Sequence, residues 1–148
     1  MSARQDPKTS NTLYQLRLTV RIDDINYGQH LAATAVPKLL QQVRVKFLQS
    51  LFFTEQDIAG MGIILTDLHV RYLSESFFDE QLLIELAIES ITSTSATFVY
   101  HLTNQTQNKP LAKAEERIVF FDYARRKVTR MPSAFLNAIA ALAGNKNS

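Results

Sequence analysis

Asp24, Asn26, Tyr27 and His30 lie within seven consecutive residues, with Gly28 among them. A carboxylate, a carboxamide, a phenol and one of the chain's three imidazoles are thereby gathered in one short stretch. An alternating apolar run precedes it, and a helical pattern follows. A helix start offers backbone N–H groups with no intrahelical acceptor, which can hold an anion or the oxyanion of a reacting carbonyl. Asp and His move protons, and Asn orients water or a carbonyl oxygen. The same residues also suit a plain turn, with Asp24 in an Asx-turn and with Asn26 and Gly28 tolerating left-handed φ.

The elements that must position this stretch follow from periodicity. In Leu13–Ile22 the residues Tyr14, Leu16, Leu18, Val20 and Ile22 alternate with polar ones, the period of a strand with one wet face. If that alternation continues, one of Asp23 and Asp24 points inward. From Ala35 to Leu51 the residues Leu39, Leu40, Val43, Phe47, Leu48 and Leu51 recur at three and four, which predicts an amphipathic helix. Pro37 suits its first turn and Thr34 is a candidate N-cap. Ile63–Leu73, Gln81–Ile91, Ser95–Thr106 and Leu111–Tyr123 read as strands joined by short turns, such as Gln107–Pro110. Ser133 begins a C-terminal helical pattern with Phe135, Leu136, Ile139 and Leu142.

Consecutive strands with short connections make an antiparallel sheet, and one long amphipathic helix must bury its stripe on that sheet. The expected fold is α+β, about five antiparallel strands wrapped around one central helix. A flexible N-terminus over 1–12, a folded domain over 13–132 and a helix with tail over 133–148 complete the expected organisation.

Composition narrows the function classes. The chain has 148 residues, 46% apolar and 20% charged, with a formal charge of +2. That is ordinary for one globular domain. No cysteine is present, so disulfides, thiolate metal sites and Cys nucleophiles are excluded. His101 has no ligand partner at metal spacing. Arg125-Arg126-Lys127 reads as a charged turn, with a phosphate contact as its functional alternative, and no basic stripe with interleaved aromatics argues for nucleic acid. No apolar run reaches the roughly 18–20 residues of a membrane span, and the polar start lacks a signal-peptide core. A cytoplasmic location is the expectation.

The order of elements, with the polar loop before the helix, resembles the hotdog fold. The sequence is similar to the 4-hydroxybenzoyl-CoA thioesterase-like group of acyl-CoA thioesterases. The resemblance covers roughly Tyr14 to Pro132. It rests on Val20–Leu31, on Leu39–Leu48, on Val70–Leu73 leading to Phe78–Leu82, and on Ile118–Asp122 leading to Met131–Pro132. It implies hydrolysis of a thioester of coenzyme A or acyl carrier protein, with no metal and no cofactor beyond the CoA of the substrate. It also implies a homodimer or homotetramer with sites shared across the dimer interface. The family's reactive acid falls on Asn26, its His on His30 and its helix-start amide near Ala33. Many members carry Asn where Ala33 stands, and Glu where Gln42 stands.

Asn26 is no base at neutral pH, so Asp24 becomes the expected acid, with Asn26 orienting water or the thioester oxygen and His30 polarising the site. Tyr27, Gly28, Ala33 and Gln42 are the expected substrate contacts. Thr66 and Asp67 join them from the strand that commonly lines the family's dimer interface, where Asp67 could supply a carboxylate to the neighbouring subunit. Two further readings stay open. Asn26, Ala33 and Gln42 together also suit a non-catalytic binder of acyl-CoA or acyl carrier protein. An enoyl-CoA hydratase-type hotdog uses an Asp-x-Asn-Pro-x-His loop, whereas here His30 is six places after Asp24 and no Pro follows Asn26.

Overall fold

A computed structural model describes residues 11–146 of the chain. The expectations for residues 1–10 and for the last two residues lie outside the described residues. The strands are β1 (Tyr14–Thr19), β2 (Gly62–Tyr72), β3 (Gln81–Glu89), β4 (Ser95–Asn104), β5 (Lys109–Asp122) and the short β6 (Lys127–Val128). The helices are α1 (Val36–Ser50) and α2 (Ser133–Lys146). All strand pairs are antiparallel, in the order β1-β3-β4-β5-β2 with β6 beside β5. β2 is therefore an edge strand. A bulge between Leu65 and Asp67 interrupts its register with β5.

The apolar stripe of α1 is what holds the sheet to the helix. Leu39, Leu40, Val43, Phe47 and Leu48 are buried together with Ile84 and Leu86 of β3, Phe98 and Leu102 of β4, and Ile118 and Phe120 of β5. Phe47 meets Phe98 edge-on, with centroids 6.0 Å apart, and Tyr14 at 5.8 Å. α2 closes one end of this core through Phe135, which packs on Phe120 at 5.2 Å. This is the expected curled sheet around one long helix.

Two local expectations fail at the junction that carries the polar loop. β1 stops at Thr19, and a 3₁₀ turn over Ile22–Asp24 follows. Val20 is instead tied by backbone bonds to Asp79 and Glu80. The strand alternation therefore ends before Asp24, and Ile22 is 71% exposed rather than on the inner face. Thr34 is not the cap of α1. A 3₁₀ turn over Ala33–Ala35 leads into the helix, and its N-cap, Ala35, makes no side-chain bond.

Arg44 sits on the buried stripe of α1 among apolar neighbours. It pairs with Glu116 at 2.5 Å, and its Nε donates to Glu55. Tyr100 donates its hydroxyl to the second oxygen of Glu116 at 2.6 Å. Burial alone would weaken the Arg44 charge, but Glu116 and Glu55 outweigh it and hold the guanidinium more firmly protonated than usual. Burial, reinforced by the Glu116 carboxylate, pushes the Tyr100 phenol well above its ordinary value, so it serves as a donor. Every charge in this knot has a partner, which is the condition for tolerating it inside a core.

Candidate active site

The polar loop folds back on itself. Asn26 N–H donates to the His30 carbonyl at 3.0 Å, and Ile25 bridges Leu31. Asn26 Oδ1 accepts the Gly28 N–H at 2.9 Å, an Asx-turn. The left-handed residue of the turn is neither Asn26 nor Gly28 but Gln29, at φ 71°. Gly28 matters for space instead. A Cβ there would lie 3.2 Å from Asn26 Oδ1, crowding it, and 3.4 Å from His30 Nε2, in contact with it. Tyr27 is fully exposed at the rim.

Asp24 is committed locally. Its Oδ2 accepts the Arg21 N–H at 2.8 Å, and its carbonyl accepts the Ala32 N–H at 2.9 Å. The carboxylate thus caps the 3₁₀ turn, and the backbone carbonyl clips the loop to the helix entry. The strand alternation expected to aim Asp24 inward does not reach it, because the strand has already ended, and Asp24 is half-buried within the 3₁₀ turn.

His30 has a defined tautomer. Its Nδ1 lies 3.0 Å from the Leu31 carbonyl, which can only accept, so Nδ1 carries the proton. In the neutral ring Nε2 then keeps its lone pair. It lies 3.8 Å from Glu75 Oε2, a carboxylate in the connection after β2.

Immediately downstream stands the helix entry. Among the described residues, the N–H groups of Ala33 and Thr34 have no acceptor. The Ala33 carbonyl, by contrast, accepts the Tyr72 hydroxyl at 2.9 Å, which ties the end of β2 to this turn. The site thus offers two free backbone donors a few residues from an imidazole with a free nitrogen.

The β2–β3 connection is fastened to the loop. Leu31 N–H donates to the Ser76 carbonyl at 2.7 Å, and His30 bridges Phe77. Glu80 anchors the connection from below, accepting Phe77 N–H at 2.8 Å, Asn104 at 2.9 Å and Gln107 at 2.9 Å. Burial opposes its ionisation, yet these bonds and one from Ser76 outweigh that and lower its carboxyl below the ordinary 4.5.

Of the residues singled out in the sequence, Asn26, Gly28 and His30 come together, with Tyr27 exposed, and Ala33 stands at the helix entry three residues on. Gln42 lies on the exposed face of α1. Thr66 and Asp67 are exposed on β2, where the Thr66 hydroxyl donates to Asp67 at 2.9 Å. Asp67 precedes Tyr72 by five strand residues, about 17 Å along β2, so within one chain it is remote from His30. Tyr72, Glu75 and Glu80 were not among the residues selected from sequence. A separate concavity of about 720 Å³ lies on the outer face of the sheet, lined by His69, Arg71, His101, Lys113 and others, and includes none of the loop.

Several solved structures share the fold. A 1,4-dihydroxy-2-naphthoyl-CoA thioesterase from Synechocystis is similar with a TM-score of 0.79 at 16% identity, over 86% of this chain and 95% of that one. A Staphylococcus aureus protein solved in complex with CoA gives 0.81 at 18% identity, over 89% of this chain and 84% of that one. A DHNA-CoA thioesterase from Staphylococcus aureus gives 0.77 at 14% identity, over 90% and 92%. No curated protein sequence matches the chain significantly. The family model of the thioesterase-like superfamily matches residues 20–139, from the end of β1 through the polar loop, the central helix and the sheet into α2, and on that match the chain belongs to this superfamily.

Proposed function

We propose that the chain hydrolyses acyl-CoA thioesters, with His30 as general base and the N–H groups of Ala33 and Thr34 as the oxyanion hole. The observation that carries this reading is the pair of acceptor-free amides at the helix entry, three and four residues after an imidazole whose Nδ1 is engaged by the Leu31 carbonyl. The thioester carbonyl oxygen binds the two amides. His30 Nε2 removes a proton from water as the water oxygen bonds to the carbonyl carbon. The tetrahedral oxyanion is stabilised by donors already in place. Its collapse breaks the carbon–sulfur bond, and the imidazolium returns the proton to the departing thiolate. Asn26 shapes the turn that places His30, and Asp24 holds that turn to the helix.

A second copy of the chain completes the assembly. β2 is an 11-residue edge strand with Leu65, Leu68 and Tyr72 exposed, a row of backbone groups suited to pairing with another strand. A homodimer through this edge would bring the partner's β2 residues, Thr66 and Asp67 among them, toward the acyl group. The CoA held by the Staphylococcus aureus neighbour supports CoA rather than another thiol as the leaving group.

Release of free thiol from short, medium, long and aromatic acyl-CoAs, followed colorimetrically, tests the reading. Turnover of at least one class above buffer is expected. Saturable binding of a non-hydrolysable analogue with no turnover across the panel would replace hydrolase with binder. Water addition to crotonyl-CoA without hydrolysis would replace it with hydratase.

A further inference from the structure

We infer that Glu75 is the carboxylate of this site and acts through His30, stabilising the imidazolium that forms when Nε2 takes the proton of water. The inference rests on the hydrolase reading above. Asn26 is a carboxamide and brings no negative charge to the loop, so a carboxylate facing His30 comes from another position. Three are placed to compete. Asp24 accepts from the Arg21 N–H and caps a turn. Asp67 accepts from Thr66 and, within its own chain, lies far along β2 from His30. Glu75 Oε2 faces His30 Nε2 at 3.8 Å.

That separation suits a change of charge. It is too long for a direct hydrogen bond, and opposite a neutral imidazole protonated at Nδ1 both atoms are acceptors. Once Nε2 is protonated, opposite charges face each other at ion-pair distance, so Glu75 favours the charged state of the base over the neutral one. This is differential stabilisation, the kind that lowers a barrier. The segment bearing Glu75 is also held in place. The Leu31–Ser76 backbone bond and the His30–Phe77 bridge fix it to the loop, and Glu80, Asn104 and Gln107 hold it from beneath. The Glu75 side chain itself is 63% exposed and, among the described residues, has no other ion-pair or hydrogen-bond partner, so its removal has little structural consequence.

The arrangement makes Glu75 a positioning residue with a distinct kinetic signature. E75Q, which keeps the size and removes the charge, should lower kcat by up to about fivefold, the scale of a solvent-exposed ion pair, while KM for the acyl-CoA stays within about twofold. E75D should recover part of the loss. The decisive arm is a double-mutant cycle. In the H30A background, E75Q should have no further effect, because the group through which it acts is gone. Thermal midpoints of all variants should match the wild type. Wild-type turnover with E75Q unchanged, or with E75Q and H30A losses that multiply, would overturn the role of Glu75 and leave the hydrolase reading intact. No turnover by the wild type would overturn both.

Discussion

Two polar clusters sit within one small fold and could hardly be treated more differently. Arg44, Glu55, Tyr100 and Glu116 form a knot between α1, the segment after it and the sheet, with every charge paired. At the other cluster, Ala33 and Thr34 present N–H groups with no acceptor, and His30 Nε2 faces a carboxylate it does not bond at rest. Inside the core an unmatched group costs about 1–3 kcal/mol or more, so complete pairing there is a requirement of folding. At the helix entry solvent or substrate can supply the missing partner, so donors are left open at little cost. Complete pairing marks structure, and incomplete pairing at an accessible edge marks chemistry.

If that contrast holds, substitutions in the two clusters should separate cleanly by readout. The largest effect is expected at the knot. R44A strands Glu116 in the core and should destabilise by about 3–5 kcal/mol in denaturant titration. The turnover of whatever fraction remains folded should be unaltered. H30A should show the reverse, a fall in kcat of about 10²–10⁴-fold with an unchanged unfolding midpoint. A large loss of stability in H30A, or a large loss of kcat in folded R44A, would erase the distinction.

Glu80 lies between the two, a paired group that supports the open site. E80Q sets amide hydrogens against Asn104 and Gln107 and should cost about 1–3 kcal/mol. Its pH dependence has a definite sign. The folded-state value is lowered, so the stabilisation is complete above the ordinary 4.5 and is lost as pH falls through the lower folded value. The stability gap between wild type and E80Q should therefore narrow as pH drops below about that point, measured by thermal unfolding across an acid series.

Much of the paired cluster was written in the sequence. Arg44 stands four residues after Leu40 and four before Leu48, on the stripe that α1 buries. Glu116 takes its turn in the alternation of Ala112, Ala114, Ile118 and Phe120, all buried. Period alone could have placed both charges inside the core. The polar loop before the helix was equally legible, because its residue types and location are local properties. Glu75 was not. It lies in an aperiodic connection 45 residues beyond His30, and the pairing of Leu31 with Ser76 and of His30 with Phe77 brings the two together. The fate of Asp24 was missed for a related reason, since a 3₁₀ turn ended the alternation that would have aimed it inward.

The central claim is that the open amides at the helix entry hold the reacting oxygen, and A33P tests it most directly. Ala32 is extended at ψ 140°, a conformation compatible with a following proline, and the Ala33 N–H has no acceptor to lose. The account predicts a fold and unfolding midpoint like the wild type, with kcat for acyl-CoA hydrolysis reduced about 10²–10³-fold. A folded A33P enzyme that hydrolyses acyl-CoA at the wild-type rate would contradict it.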